Sequence, residues 1–86
     1  MLNFPNQSRV FDPTRHAVRF WGHDSAMEWS FFVTEDALKR LQPNMRYDEA
    51  SVLRVFDDQR EVINQAAMRA NNRDRKDSYE LGAGDF

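Results

Sequence analysis

The chain has 86 residues, of which 41% are apolar and 13% aromatic, and its formal net charge at pH 7 is −2. This length and balance indicate one globular domain over residues 1–86 rather than two domains or a disordered chain. The absence of cysteine excludes a disulfide framework, a thiol nucleophile and thiolate zinc sites. A slightly acidic chain has no overall attraction for nucleic acid, so such binding would need a local basic patch.

The N-terminal stretch MLNFPNQSRVFD lacks the basic start and the apolar run of a signal peptide. No apolar stretch approaches the roughly 20 residues that span a bilayer. We therefore expect a cytoplasmic protein with no membrane partner.

The first half of the chain predicts three β-strands. A short strand over Ser8–Asp12 is closed by Asp12-Pro13-Thr14, a typical turn sequence because proline fixes φ and aspartate can accept nearby backbone N–H bonds. Residues 17–22 and 27–33 then predict a β-hairpin, because two aromatic-rich runs flank the polar loop His23–Ala26. A four-residue loop places position 22 opposite 27 and position 18 opposite 31.

This hairpin has two faces of different character, because side chains alternate along a strand. The apolar face, expected to form the core, contains Val18, Phe20, Met27, Trp29, Phe31 and Val33. The other face mixes polar, charged and aromatic residues, namely Ala17, Arg19, Trp21, Glu28, Ser30 and Phe32.

Two helices follow the hairpin. Thr34 is a favourable N-cap for a short helix over 35–41, which Pro43 prevents from extending much further. A long amphipathic helix is predicted over 48–71, with its acidic start at Asp48. Its apolar stripe has helical periodicity and is expected to pack on the hairpin; it contains Val52, Val55, Phe56, Gln59, Val62, Ile63, Ala66 and Ala70.

The remaining residues read as a polar linker followed by an apolar ending. Tyr79 and Leu81 alternate with Glu80, so the pattern allows a short last strand, and the terminal Phe86 suggests a tail that docks on the domain. The predicted fold is a small two-layer α+β domain in which an antiparallel sheet packs on one long helix.

A combination of short motifs resembles the domain of unknown function 1488 family, a group of small bacterial proteins. The resemblance covers nearly the whole chain; it is carried by Phe4-Pro5-Asn6, Val18-Arg19-Phe20-Trp21-Gly22, Phe31-Phe32-Val33, Leu53, Phe56-Asp57, Arg60, Ile63, Tyr79, Leu81 and Asp85-Phe86. It implies a stand-alone cytoplasmic α+β protein and no established activity. Some relatives carry a transcription-regulator label, but no DNA-reading motif of that label matches a position here.

Catalytic and metal-binding motifs are not apparent. His23-Asp24-Ser25 has the residue types of a catalytic triad, but three consecutive turn residues cannot place the base between nucleophile and carboxylate. His16 and His23, with Asp24 or Glu28, are too few for a typical histidine-led metal site. No glycine-rich phosphate loop precedes a helix. We expect a protein that is not an enzyme and has no cofactor or metal.

Charged residues on and after the long helix suggest two further roles. Arg60 lies beside the apolar stripe, where its stem can pack while its guanidinium reaches Asp57 or a tail carboxylate, which favours a structural role over a ligand contact. The chain has one basic cluster, which consists of Arg69, Arg73, Arg75 and Lys76. Cations complement the C-terminus of a helix, and a basic segment can also contact phosphates, so the alternative function is a nucleic-acid-binding transcriptional regulator.

The leading functional prediction is a binding or regulatory module that acts through protein–protein contact or self-association. Its candidate contact residues are Arg19, Trp21, Glu28 and Phe32, since aromatic and arginine side chains in a mixed patch are typical of binding hot spots. The alternative for Trp21 and Phe32 is that the first strand, Phe4, Tyr79 or Phe86 covers them within the domain.

Overall fold

The computed structural model describes residues 1–86 and contains a four-stranded sheet with three α-helices. The strands are β1 (Val10–Asp12), β2 (Ala17–Asp24), β3 (Met27–Thr34) and β4 (Ser78–Leu81), and they lie in the order β1-β2-β3-β4. The helices are α1 (Glu35–Leu41), α2 (Glu49–Asp58) and α3 (Arg60–Arg73), and a 3₁₀ turn follows β4 at Ala83–Asp85. The predicted fold class, a two-layer α+β domain, is confirmed.

The central hairpin is longer than predicted and has a different register. Its loop has two residues, Ser25 and Ala26, so that Gly22 pairs with Trp29 instead of Met27. Ser25 has a φ of 56°, which makes the tight two-residue turn possible. Because the register differs from the prediction by two residues, and side chains alternate with a period of two, the assignment of residues to the two faces is unchanged.

The two outer strands also depart from the sequence-based expectation. β1 begins at Val10 instead of Ser8, whose backbone N–H is bonded to the side chain of Asn6. The sheet is mixed rather than antiparallel, because β4 runs parallel to β3. A parallel pair needs a long crossover, and the three helices between β3 and β4 supply it.

The short helix α1 has the bounds that its sequence predicts. The Thr34 side chain accepts a hydrogen bond from the Ala37 N–H at 3.1 Å, which caps the N-terminus. In the same way, Asp48 caps α2 by accepting the Ser51 N–H at 3.1 Å. This hydrogen bond lowers the pKa of the Asp48 carboxyl from its ordinary value.

The prediction of one continuous helix over 48–71 is wrong, because the backbone leaves helical geometry at Gln59. This residue has φ −106° and ψ 15°, which ends α2 and begins α3. The two segments then serve different parts of the sheet, since α2 contacts β1 and β2 whereas α3 contacts β4. The break therefore allows one run of sequence to cover the width of the sheet.

The core lies between the helices and one face of the sheet, which we call the core face. The strands contribute Val18, Phe20, Trp29, Phe31, Val33, Tyr79 and Leu81. The helices contribute Ala37, Leu38, Val52, Val55, Phe56, Ile63, Ala66, Ala67 and Ala70. Two residues predicted to be in the core are exposed instead: Met27 lies at the hairpin tip, beyond the start of β4, and Val62 follows the helix break.

Both ends of the chain pack against this core. Leu2 is buried, and the backbone of Asn3 pairs with that of His23 at the end of β2. Phe86 packs against the core as its sequence suggests. Behind β4, the Tyr79 hydroxyl donates to the Asp74 carbonyl at 2.8 Å and accepts from the buried Asn71 side chain at 3.2 Å.

Candidate functional site

The face of the sheet opposite the core, which we call the outer face, combines aromatic and charged side chains. The strand register places Val10, Arg19, Phe32 and Glu80 in one row across all four strands. Trp21, Ser30 and Ser78 form the adjacent row. This arrangement brings three of the four predicted contact residues, Arg19, Trp21 and Phe32, together on one surface.

The groups expected to cover this face lie elsewhere: β1 extends the sheet beside β2, and Phe86 packs against the core. Every buried apolar residue of α1, α2 and α3 belongs to the core cluster, whereas Ala17 and Phe32 do not. Phe4 and Tyr79 contact Phe31 on the core face, with ring centroids 6.2 and 5.0 Å away. The outer face is therefore free of helical cover.

Two arginine side chains cover the aromatic rings of the outer face. The guanidinium carbon of Arg15 lies 4.1 Å from the centroid of the Phe32 ring. That of Arg19 lies 5.1 Å from the Trp21 ring and 5.7 Å from the Phe32 ring. Such cation–π contacts contribute roughly 0.5–1 kcal/mol each at exposed sites. As a result Phe32 is only 7% exposed, while Trp21 is half-buried.

The turn between β1 and β2 explains how Arg15 reaches this face. Asp12 accepts the backbone N–H groups of Thr14 and Arg15, and His16 adopts a left-handed conformation with φ 51°. Sequence reasoning recognised the turn but missed Arg15 as a residue of the site. The only signal was its position between Pro13 and the aromatic hairpin.

The remaining predicted contact residue, Glu28, lies at the far end of the outer face. Its carboxylate Oε2 is 3.1 Å from Nε2 of His23, its cross-strand neighbour. Arg19, in contrast, donates to the Ser30 hydroxyl at 2.9 Å and has no carboxylate within ion-pair distance. Arg19 therefore retains donors for a contact outside the chain.

The basic segment 69–76 lies beside the C-terminal tail. Arg69 donates to the Asp85 carbonyl at 3.3 Å, and Arg73 lies 3.6 Å from the Asp85 carboxylate. Lys76 lies 3.8 Å from Asp74, which leaves Arg75 as the member of the segment whose side chain has neither a hydrogen bond nor an ion pair. Most of the predicted nucleic-acid-binding residues thus contact acidic or carbonyl groups of the chain itself.

A second arginine cluster joins the segment before β1 to the helices. Arg9 donates two hydrogen bonds to the Asp57 carboxylate, both 2.9 Å long. These bonds hold the pKa of Asp57 below its ordinary value and raise that of Arg9. Arg60 donates to the Gln7 carbonyl at 3.0 Å and lies 3.6 Å from Asp57. Of the two alternatives expected for Arg60, Asp57 or a tail carboxylate, the structure shows Asp57.

The histidines do not form part of a larger ligand group. His16 lies 3.7 Å from Glu35 on α1, and His23 lies beside Glu28, so each has a single acidic neighbour. No group of three or more histidine, aspartate or glutamate residues is arranged to hold a metal ion. The helices are also too short or too polar for any of them to cross a membrane.

Comparisons with known proteins agree with this architecture. The family model described as Protein of unknown function (DUF1488) matches residues 2–81. A crystal structure of a protein of unknown function from the DUF1488 family of Shewanella loihica PV-4 has a similar fold, with a TM-score of 0.81 and 17% sequence identity. The alignment covers 93% of this chain and 90% of that one. A comparison with curated proteins gives no match. Since the family model covers nearly the whole chain, the protein belongs to the DUF1488 family.

Proposed function

We propose that this protein is a non-enzymatic binding module whose outer face contacts another polypeptide that presents a carboxylate. The observation that carries the proposal is the pair of aromatic rings, Trp21 and Phe32, on a sheet face without helical cover and beneath two arginines. Tryptophan and arginine are enriched among the residues that dominate binding energies.

The environment of Arg19 supports a carboxylate as the group that is recognised. A guanidinium has five N–H donors and binds carboxylates in a planar, often bidentate geometry. Only the bond to Ser30 uses these donors within the chain. The rings of Trp21 and Phe32 hold the guanidinium over the sheet, which reduces the entropy that a partner must remove on binding.

No specific observation favours the alternative function, nucleic-acid binding through Arg69, Arg73, Arg75 and Lys76. Arg69 and Arg73 contact Asp85, and Lys76 lies beside Asp74. Phosphate binding would have to compete with these acidic and carbonyl groups. Arg75 has no such competitor, but it stands alone, whereas Arg19 on the outer face lies beside the rings of Trp21 and Phe32.

Photo-crosslinking in cells tests the proposed function. Benzoylphenylalanine in place of Trp21 keeps an aromatic side chain on the outer face and should form a covalent adduct with a contacting polypeptide. The same residue in place of Val62, an exposed residue of α3, is the control and should form none. The Trp21 adduct should disappear when Arg19→Glu is added and persist when Arg54→Glu is added, because Arg54 is exposed on α2.

A second outer-face position guards against a folding defect at Trp21. Glu28 is exposed at the end of the same face, and benzoylphenylalanine there should also give an adduct. Folding of each variant is checked by circular dichroism. If both outer-face positions give no adduct in folded protein, or if the adducts persist in the Arg19→Glu variant, the proposal is wrong.

A further inference from the structure

We infer that the polypeptide bound by the outer face is a second copy of this chain, in a two-fold dimer that places Arg19 of each copy opposite Glu80 of the other. This inference rests on the proposed function and names its partner. It follows from the positions of the charges within the sheet register.

The row across the outer face has a symmetric arrangement of opposite charges. Phe32 lies on β3, with Arg19 paired to it on β2 and Glu80 paired to it on β4. Neighbouring strands are about 4.8 Å apart, so the two charged residues flank Phe32 at similar distances on opposite sides. A two-fold axis that lies above Phe32 and runs parallel to the strands places β2 of one copy over β4 of the other.

The resulting contact is complementary and closes on itself. With that axis, the carboxylate of Glu80 from one copy faces the guanidinium of Arg19 from the other, and the same pair forms twice. A two-fold interface uses the same patch on both subunits, so it ends at the dimer and does not extend into a filament. Face-to-face sheets pack about 10 Å apart, with their strands within about 30° of each other. Two long charged side chains, one from each sheet, can span this distance.

Both members of the proposed pair lack an ionic partner within the chain. Glu80 is exposed and has neither an ion pair nor a side-chain hydrogen bond. Arg19 has only its bond to the Ser30 hydroxyl and its contacts with the aromatic rings. The dimer would supply the carboxylate that Arg19 lacks and the cation that Glu80 lacks.

The charges near the proposed axis are of both signs. Arg15 lies over Phe32, so an axis above this ring brings the Arg15 side chains of the two copies together; each must turn aside towards Asp12, whose carboxylate is 3.9 Å from its guanidinium. Besides Arg15 and Arg19, the outer face has three carboxylates, those of Asp12, Glu28 and Glu80. Each copy therefore offers two cations to a surface with a small acidic excess, in agreement with the net charge of −2 of the whole chain.

A charge-swap experiment on the purified full-length protein tests the inference. Sedimentation equilibrium over a range of concentrations should show a dimer, with twice the 10.2 kDa mass of one chain. Arg19→Glu and Glu80→Arg should each weaken dimerisation by about tenfold or more, because each places like charges opposite one another. The double variant should recover most of the affinity, since it restores both ion pairs with the charges exchanged.

Matched variants separate this effect from nonspecific charge or folding effects. Arg54→Glu makes the same charge change as Arg19→Glu on an exposed part of α2 and should leave the dimer unchanged. If circular dichroism shows that Arg19→Glu is unfolded, Arg19→Gln replaces it. This variant removes the charge without inverting it and should weaken the dimer less than a charge inversion would. Raising the salt concentration should weaken the wild-type dimer.

The outcomes distinguish this inference from the proposed function. A wild-type protein that is monomeric at all concentrations overturns the dimer, as does a dimer whose affinity the double swap does not restore. If the Trp21 crosslink then forms with a different polypeptide and still depends on Arg19, the proposed function stands without self-association. If the crosslink is also absent, both are wrong.

Discussion

The two faces of the sheet contain similar aromatic residues but are covered by different groups. On the core face, the ring centroid of Phe20 lies 5.4 Å from that of Phe31 and 5.2 Å from that of Phe56 on α2. On the outer face, Phe32 is almost as well buried, but beneath the guanidinium of Arg15. The difference shows that a ring can be removed from water either by permanent packing or by a charged side chain whose other surface remains solvated.

This difference has a consequence for where binding can occur. The core face obtains its stability from apolar area removed from water, roughly 25 cal/mol per Å², and exposing it would unfold the domain. The arginines of the outer face are side chains of a turn and a strand, so a change in their position would leave the backbone hydrogen bonds of the sheet intact. The proposed contact is therefore assigned to the outer face.

The largest expected contrast between the faces comes from removing one ring from each. Phe56→Ala should lower the free energy of unfolding by about 3–5 kcal/mol, because a fully buried ring is replaced by a cavity. Phe32→Ala should cost only about 1.5–3 kcal/mol, since water can fill the space left on the open face. Urea unfolding monitored by circular dichroism measures both values.

A milder variant protects this comparison from complete loss of folding. Phe56→Leu retains part of the packing and should remain folded at pH 7, with a stability between those of wild type and Phe56→Ala. An equal or greater loss for Phe32→Ala than for Phe56→Ala would show that the outer face is packed like a core. The distinction between the two faces would then fail.

Gly22 tests how closely the N-terminal segment packs on the core face. A Cβ atom at this position would lie 2.9 Å from Cδ1 of Leu2 and 3.0 Å from ring carbons of Phe4 and Phe31. Gly22→Ala should therefore destabilise the protein by about 1–3 kcal/mol through overpacking. Gly84→Ala is the matched control and should have little effect, because a Cβ there has no atom within 4 Å. Equal unfolding midpoints for the two variants would contradict this interpretation.

The sequence predicts the division into faces better than it predicts the connections. The alternating hairpin pattern separates Trp21 and Phe32 from the core residues even with the wrong register, because an error of two residues preserves the face. Thr34 and Pro43 define α1 because a cap and a helix breaker act locally. In contrast, no proline or glycine marks the break at Gln59, and the orientation of β4 depends on the path of three helices.

Only part of the arginine cover of the outer face could be predicted from the pattern. Arg19 belongs to a strand, so its face follows from alternation. Arg15 belongs to a turn, and its position depends on the left-handed backbone of His16, a conformation that non-glycine residues adopt infrequently. The sequence therefore identified the aromatic residues and Arg19 of the candidate site but not Arg15, which covers Phe32.

The contribution of this cover can be measured by removing the Arg15 guanidinium. Arg15→Met keeps an unbranched stem over Phe32 but loses the cation, and should lower the free energy of unfolding by about 0.5–1 kcal/mol. Arg40→Met removes an exposed charge from α1, where the arginine makes no ion pair, and should change stability by less. Equal urea midpoints for Arg15→Met and wild type would show that the cation does not stabilise the outer face.

The smallest expected effect concerns the edge of the sheet, where the Arg9–Asp57 ion pair holds the segment before β1 against α2. The hydrogen bonds from Arg9 lower the pKa of Asp57 in the folded state. The unfolded chain therefore binds the proton more readily, and the stabilisation is present above the ordinary aspartate pKa of about 3.9. It should be lost as the pH falls from that value through the lower folded-state pKa. Because the Asp57 side chain is 44% exposed, the pair is expected to contribute less than about 1 kcal/mol.

Two aspartate variants test this pH dependence. Asp57→Asn should be less stable than wild type at pH 7, and the difference in urea midpoints should shrink towards pH 3 as the wild-type carboxylate is protonated. Asp58→Asn changes the adjacent exposed residue, which has no arginine partner, and should retain a pH dependence close to that of wild type. If Asp57→Asn differs from wild type by the same amount at both pH values, the ion pair is not the source of the stabilisation. The edge of the sheet would then be held by apolar contacts, as the core face is.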